Sequence, residues 1–266
     1  MDNKIKELHH RLALLMHEIH KICIENDIKY TMIGGTLIGA IRHKGFIPWD
    51  DDIDIGMTLD NYIKFKNIVF NKKYDWIDFD LAGITKNYFC TYIKAYDTRT
   101  MFIENGVKIS RGLFVDIFPI VKAGDTKLEA LYEFAKHKYY QSILKRKSQA
   151  YNTFFVKELF LKFLSKSYET DKLMILIDLH YSIIDKKYKK YSSDMDGTKR
   201  GIVLTQLFDE YCLYKFEQYE FMGIKRADEY LKKVFGDYMK LPPEEKRVPN
   251  HLIYLDLDLS YKKYSL

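Results

Sequence analysis

The chain has 266 residues, of which 47% are hydrophobic and 15% aromatic, which excludes a disordered segment and is enough for one large domain or two modest ones. Its 43 basic and 37 acidic residues leave a net charge of only +6, yet Lys127 to Arg200 holds 16 basic against nine acidic residues, so one region carries the whole excess. Three widely separated cysteines, Cys23, Cys90 and Cys212, in no metal-type spacing, exclude a disulfide framework and fit a reducing compartment.

The opening MDNKIKELHH lacks the apolar core of a signal peptide, and no run approaches about 18 apolar residues, so a cytoplasmic protein is expected. Ile5, Leu8, Leu12, Leu15, Ile19 and Ile22 recur at spacings of three and four and predict an amphipathic helix. His9, His10, His17 and His20 fall beside or opposite that stripe and read as a solvated face, not as a metal site. Ile28 to Ile33 predicts a strand, broken by Gly34-Gly35, where a ligand can approach the main chain. Thr36 then opens a short helix whose N-terminal N–H groups are a natural seat for phosphate. A basic turn follows, Arg42-His43-Lys44-Gly45, and then Asp50-Asp51-Asp52-Ile53-Asp54. Asp52 to Met57 alternates as a strand, with Asp52 and Asp54 on one face and Ile53 and Ile55 on the other. Thr58 caps a helix from Leu59 to Phe70.

Short strands are predicted at Ile77 to Ala82, Tyr88 to Tyr96 and Gly112 to Ile120. The last, GLFVDIFPI, sets a single Asp116 in an apolar run, which is costly unless it is paired or bound to a cation; an edge strand with Asp116 in water is the alternative. From Thr126 to about Lys190 the pattern turns to long helices, including Phe154 to Leu164, which reads as a core helix in preference to one lying at a membrane interface. Ser192 to Arg200 is a polar loop whose Asp194-Met195-Asp196-Gly197 is too short for a calcium loop. Thr205 to Met222 fits strand or helix, and Asp228 caps a helix over Glu229 to Phe235 that Gly236 ends.

Two carboxylates on one strand face, joined by a third from a neighbouring strand, form an oxygen cage for a hard cation, Mg²⁺ or Mn²⁺, and not for zinc. Without a cation their mutual repulsion raises at least one pKa. Gly34, Gly35 and Thr36, with Arg42 and Lys44 nearby, add groups suited to phosphate, so the combination predicts metal-assisted phosphoryl-type transfer. Asp52 and Asp54 hold the metal in this reading, and Asp116 completes the site and accepts a proton from an attacking hydroxyl.

The string GGTLIGAIRHKGFIPWDDDIDI resembles the signature of the LicD family, phosphocholine transferases of lipopolysaccharide and teichoic acid related to the fukutin proteins; GLFVDIFPI and FGDYMKLPPEEKR extend the resemblance over most of the chain. It implies a nucleotidyltransferase-like α/β core, with Gly34-Gly35, Asp52 with Asp54, and Asp116 on the pattern positions. The gap between Gly35 and Asp52 is longer than in most members of that superfamily. It also implies CDP-choline as donor, CMP as leaving group and a sugar hydroxyl of a surface glycan as acceptor. Such glycans grow on lipid carriers at the inner membrane face, where the basic region would make a peripheral contact. Arg247 and His251 match the C-terminal motif without an assigned role.

The expected organisation is a mixed-sheet α/β catalytic core over 1–125, a basic helical subdomain over 126–200 and a C-terminal segment over 201–266 that packs back on the core. Transfer of another phospho-alcohol or of a nucleotidyl group uses the same parts. A non-catalytic calcium-binding interaction module is the reading from a different class. Nucleic acid is not an expected partner, because the acidic site repels phosphates unless metal-loaded.

Overall fold

The computed structural model describes residues 3–104, 111–147, 169–249 and 252–264, and its architecture is mixed α/β. The predicted first helix is α1 (Asn3–Glu25); its stripe of Leu8, Leu12, Leu15 and Ile19 is fully buried. The chain then runs through β1 (Thr31–Met32), α2 (Gly34–Arg42), β2 (Ile53–Thr58), α3 (Leu59–Asn71), β3 (Ile77–Asp80), β4 (Ile93–Asp97) and β5 (Met101–Glu104). The long β6 (Phe114–Gly124) leads into helices α4 (Lys127–Lys147) and α5 (Thr170–Lys187), followed by the short strands β7 (Tyr191–Ser193) and β8 (Val203–Leu204). A hairpin of β9 (Tyr211–Phe216) and β10 (Tyr219–Ile224), helix α6 (Ala227–Phe235) and strand β11 (Leu252–Asp256) complete the order.

The main sheet runs β1-β2-β6-β4-β3, with β7 added against the far end of β6 and β8 against β7. Strand β6 is central because it is apolar on both faces: Val115, Ile117 and Val121 lie on one side, and Phe114 and Ile120 on the other. It pairs parallel with β2 and antiparallel with β4, so Asp116 lies in an interior strand with 7% exposure, and the edge-strand alternative does not apply. Two smaller ladders flank the sheet, β9 with β10 and β5 with β11.

Several boundaries differ from the sequence reading for local reasons. Strand pairing before Gly34 is confined to Thr31–Met32, because Ile28 N–H bonds the Cys23 carbonyl in the turn after α1 and Tyr30 N–H lies on the Met222 sulfur. Helix α2 starts at Gly34, two residues before Thr36, which turns its hydroxyl to the Asp54 N–H at 2.8 Å. Thr58 makes no cap bond to α3; its hydroxyl accepts from the Asn61 side chain. Asp228 stands inside the first turn of α6, after Arg226 at the cap, and bonds Lys232 and Tyr238. Gly236 does end α6, at φ +76°, a conformation that favours glycine. The ambiguous stretch after Thr205 is mostly the β9–β10 hairpin.

The histidines of α1 correct the solvated-face expectation. His9 is buried and stacked on Phe46, His17 stacks on Tyr219, and His20 Nδ1 meets the Tyr30 hydroxyl at 2.7 Å; His10 alone of the four is exposed. Their partners come from segments far away in sequence, which helical periodicity does not register. Phe154 to Leu164 and His251 lie outside the described residues. Among the described residues no helix is long and apolar enough to cross a membrane, and Cys23, Cys90 and Cys212 are free thiols.

Candidate active site

The aspartates are brought together by strand register. In the parallel β2–β6 pair Asp54 stands opposite Asp116, and in the antiparallel β4–β6 pair Asp116 stands opposite Lys94. Register partners share a sheet face. Asp54, Asp116 and Lys94 therefore form one row across three strands, and the Lys94 ammonium lies 3.3 Å from Asp116 and 3.5 Å from the Phe114 ring centre. The other face of the same strands carries the buried Ile53, Ile55, Val115 and Ile117. Alternation thus delivers charge to one side and core to the other.

The loop before β2 adds more carboxylate. Asp50, Asp51 and Asp52 present oxygens that all lie within 4.8 Å of one another, a grouping able to hold a metal ion. Buried Asp51 accepts from the Leu252 N–H at 2.8 Å, and the Asp50 carbonyl meets His9 Nε2 at 2.7 Å, so both ends of the chain fix this loop. The strand begins at Ile53 and not at Asp52, so Asp52 belongs to the loop that leads in and sits between the two groups.

Gly34 and Gly35 face these carboxylates directly. A Cβ on Gly34 would stand 3.1 Å from Asp54 Oδ2, and one on Gly35 would stand 2.5 Å from Asp50 Oδ2. Gly34 also has φ +57°. The pair is required because two carboxylates press against the start of α2, where its first N–H groups point outward. No side chain caps that end. The positive end of the helix dipole therefore meets the aspartate cluster and anything anionic bound beside it.

The cluster strains the ionisation of its members. Burial, followed by the carboxylates of Asp52, Asp116 and Asp50, drives Asp54 well above the ordinary carboxylate range, with Lys94 working against them. Burial and then Asp52 and Asp51 push Asp50 up to about 8. Every donor in the set is oxygen, so it fits a hard divalent cation, which would relieve this repulsion.

Not all expected residues join this group. Helix α2 has nine residues, a rise of about 12 Å, so Arg42 and Lys44 stand at its far end from Gly34. Arg42 Nη1 is bonded to the Tyr238 carbonyl at 2.5 Å and its Nε to His43 at 2.9 Å, while Lys44 is exposed. Neither is brought to the aspartates. Arg247 rests on the Trp49 ring, 5.8 Å from its centre, and donates to the Pro242 carbonyl, a packing contact next to the loop. The sequence reading missed Lys94, whose signal was its even spacing from Tyr92 and Tyr96 in TYIKAY, and Tyr230 of α6, whose phenol is raised by burial and then by Asp194 and Asp54.

Comparison with known proteins agrees with this geometry. Residues 27–156 match the family described as LicD/FKTN/FKRP, nucleotidyltransferase domain. The lipopolysaccharide cholinephosphotransferase LicD of Haemophilus influenzae is 31% identical over 246 residues, covering 90% of this chain and 92% of that protein. Shorter similarity links the chain to an uncharacterized protein of Rickettsia typhi, 47% identical over 58 residues (22% of this chain, 19% of that one). The human ribitol 5-phosphate transferase FKRP is 47% identical over 34 residues, 13% of this chain and 7% of that protein. The expected resemblance holds: this chain belongs to the LicD family and is an enzyme of the phosphotransferase class.

Proposed function

We propose that the protein transfers phosphocholine from CDP-choline to a sugar hydroxyl of a cell-surface glycan, of lipopolysaccharide or teichoic-acid type, and releases CMP. The observation that carries the reading is the row Asp54–Asp116 set against Gly34 at the start of α2. The name and near-complete coverage of the Haemophilus influenzae relative support choline phosphate and lipopolysaccharide over other phospho-alcohols. Asp52, Asp54 and Asp116 would hold Mg²⁺ or Mn²⁺, with Asp50 and Asp51 next to them. The chemistry such an ion would supply is neutralisation of the phosphate oxygens as the leaving group gains charge.

The chain's own residues do the rest. The first N–H groups of α2 bind a phosphate oxygen, and Gly34 and Gly35 let that oxygen approach the backbone. Asp116 accepts the proton of the acceptor hydroxyl while the new oxygen–phosphorus bond forms and the bond to CMP breaks. Lys94, held at Asp116, keeps that carboxylate oriented toward the row. On this reading the basic excess between Lys127 and Arg200 would serve the anionic acceptor and the inner membrane surface on which it is carried, with the protein in the cytoplasm in peripheral contact.

The test is CMP release from CDP-choline with a membrane glycolipid extract as acceptor, with and without Mg²⁺, for the wild type and Asp54→Ala. Metal-dependent release that the substitution abolishes is the expected result. Absence of release from folded wild type, with release from another CDP-alcohol, would overturn choline and leave the transferase class standing.

A further inference from the structure

The row that holds Asp116 continues, one strand repeat further, into an aromatic pair. Phe118 shares the face of Asp116 on β6, and the Tyr92 ring, just before β4, lies 4.4 Å from it, centre to centre, with the planes inclined at 42°. Both rings are partly exposed, although β4 and most of β6 are buried. The register partner of Phe118 on β2 is Gly56, over which the Ile120 and Ile33 side chains close to form an apolar floor. Tyr88, four residues before Tyr92, has a buried hydroxyl without a hydrogen-bond partner. Lys94 lies over the ring of Phe114, two residues from Asp116 in the other direction along β6.

An inclined aromatic pair with an apolar floor, beside a row of carboxylates, is suited to a weakly hydrated cation. Ring faces attract positive charge, and the apolar surroundings suit methyl groups that cannot donate hydrogen bonds. A primary ammonium, more strongly hydrated, would give up more water there than the ring faces return. Phe118 is two residues from Asp116, about 6.7 Å along the strand, comparable with the two-carbon tether between phosphorus and nitrogen in phosphocholine.

We propose that Tyr92 and Phe118 form the subsite for the trimethylammonium group and set the preference for choline over ethanolamine. This rests on the phosphocholine reading above. The experiment compares kcat/KM for CDP-choline and CDP-ethanolamine in the wild type, Phe118→Leu, Tyr92→Leu and the conservative Phe118→Tyr, each first checked for a cooperative thermal transition. Wild type is expected to favour CDP-choline. Each Leu variant should lose about tenfold of that ratio, the size of one desolvated cation–π contact, through KM for CDP-choline, while Phe118→Tyr keeps it. Tetramethylammonium should compete with CDP-choline in the wild type and not in Phe118→Leu. An equal loss for both donors would overturn the subsite and show that the rings serve the nucleotide or the fold. An unchanged ratio in active Leu variants would overturn it as well. No turnover of CDP-choline by folded wild type would instead defeat the underlying reading, so the two failures are separate.

Discussion

Two acidic groups of this chain look alike in sequence and are treated oppositely by the fold. Asp50-Asp51-Asp52-Ile53-Asp54 gathers carboxylates against one another, so that burial and like charge push Asp50 and Asp54 upward. In Asp194-Met195-Asp196 the second carboxylate is answered by the protein itself. Asp196 accepts from the Thr91 hydroxyl at 2.9 and 2.8 Å and from the Gln141 side chain, while Lys138 donates to its carbonyl and His137 stands 3.7 Å away. The second group ties the segment before β4 to helix α4. A carboxylate satisfied by protein donors has little left for a ligand, whereas a crowd of carboxylates calls for a cation. Environment, and not acidity, separates a clasp from a candidate active site.

The sharpest break in this contrast comes from one substitution in each group. Asp54→Ala should lower CMP release by about 10³-fold or more, the scale of losing a charge-stabilising group, and leave the thermal transition of the metal-free protein no lower than wild type. Asp196→Ala should do the reverse. It strands the buried Thr91 hydroxyl, Gln141 and His137 and costs about 3 kcal/mol of stability in a denaturant titration, with kcat of the folded fraction nearly unchanged. Equal loss of activity in both variants at 10 °C would erase the distinction.

Metal should sharpen it further. Adding Mg²⁺ or Mn²⁺ at about 100 times its dissociation constant should stabilise the wild type and Asp196→Ala by about 2.7 kcal/mol, read as a rise in Tm, and should not move Asp54→Ala. The smallest expected effect concerns Asp194. Burial raises its carboxyl to about 6, against the Gly197 N–H bond, which lowers it. Its folded value therefore lies above the unfolded one, so the fold loses stability as pH rises from about 4 through about 6. Asp194→Asn should be more stable than wild type by about 1 kcal/mol above pH 7, the shift being discounted for the carboxylate's partial exposure, and should show no advantage below pH 4.

What could be read in advance follows from the range of the interactions involved. Alternation in Asp52 to Met57 and the charge inside GLFVDIFPI located Asp54 and Asp116, because strand periodicity is local; that the two strands lie parallel and in register is a property of the fold. The turn at Gly34-Gly35 was legible, yet its cause was not, since the neighbours that forbid a Cβ are Asp54 and Asp50. Arg42 and Lys44 were grouped with the site by nearness in sequence, and the length of α2 separates them. The histidines of α1 were misread because their partners, Phe46, Tyr219 and Tyr30, lie across loops and sheets. The β5–β11 ladder left no signal at all, as two short strands some 150 residues apart give no pattern to either neighbourhood.

That ladder, with the bond from the Leu252 N–H to Asp51, has a consequence for how the protein is made. The contact closes a separation of 201 residues. On a ribosome the aspartate loop emerges early, but the backbone group that anchors it arrives only after both helices and the hairpin have been synthesised. Docking of the aspartate loop is therefore expected among the last events of folding, since contacts distant in sequence carry the largest loop-closure cost. A chain arrested or cleaved ahead of Leu252 would lack both this anchor for the aspartate loop and the partner strand of β5.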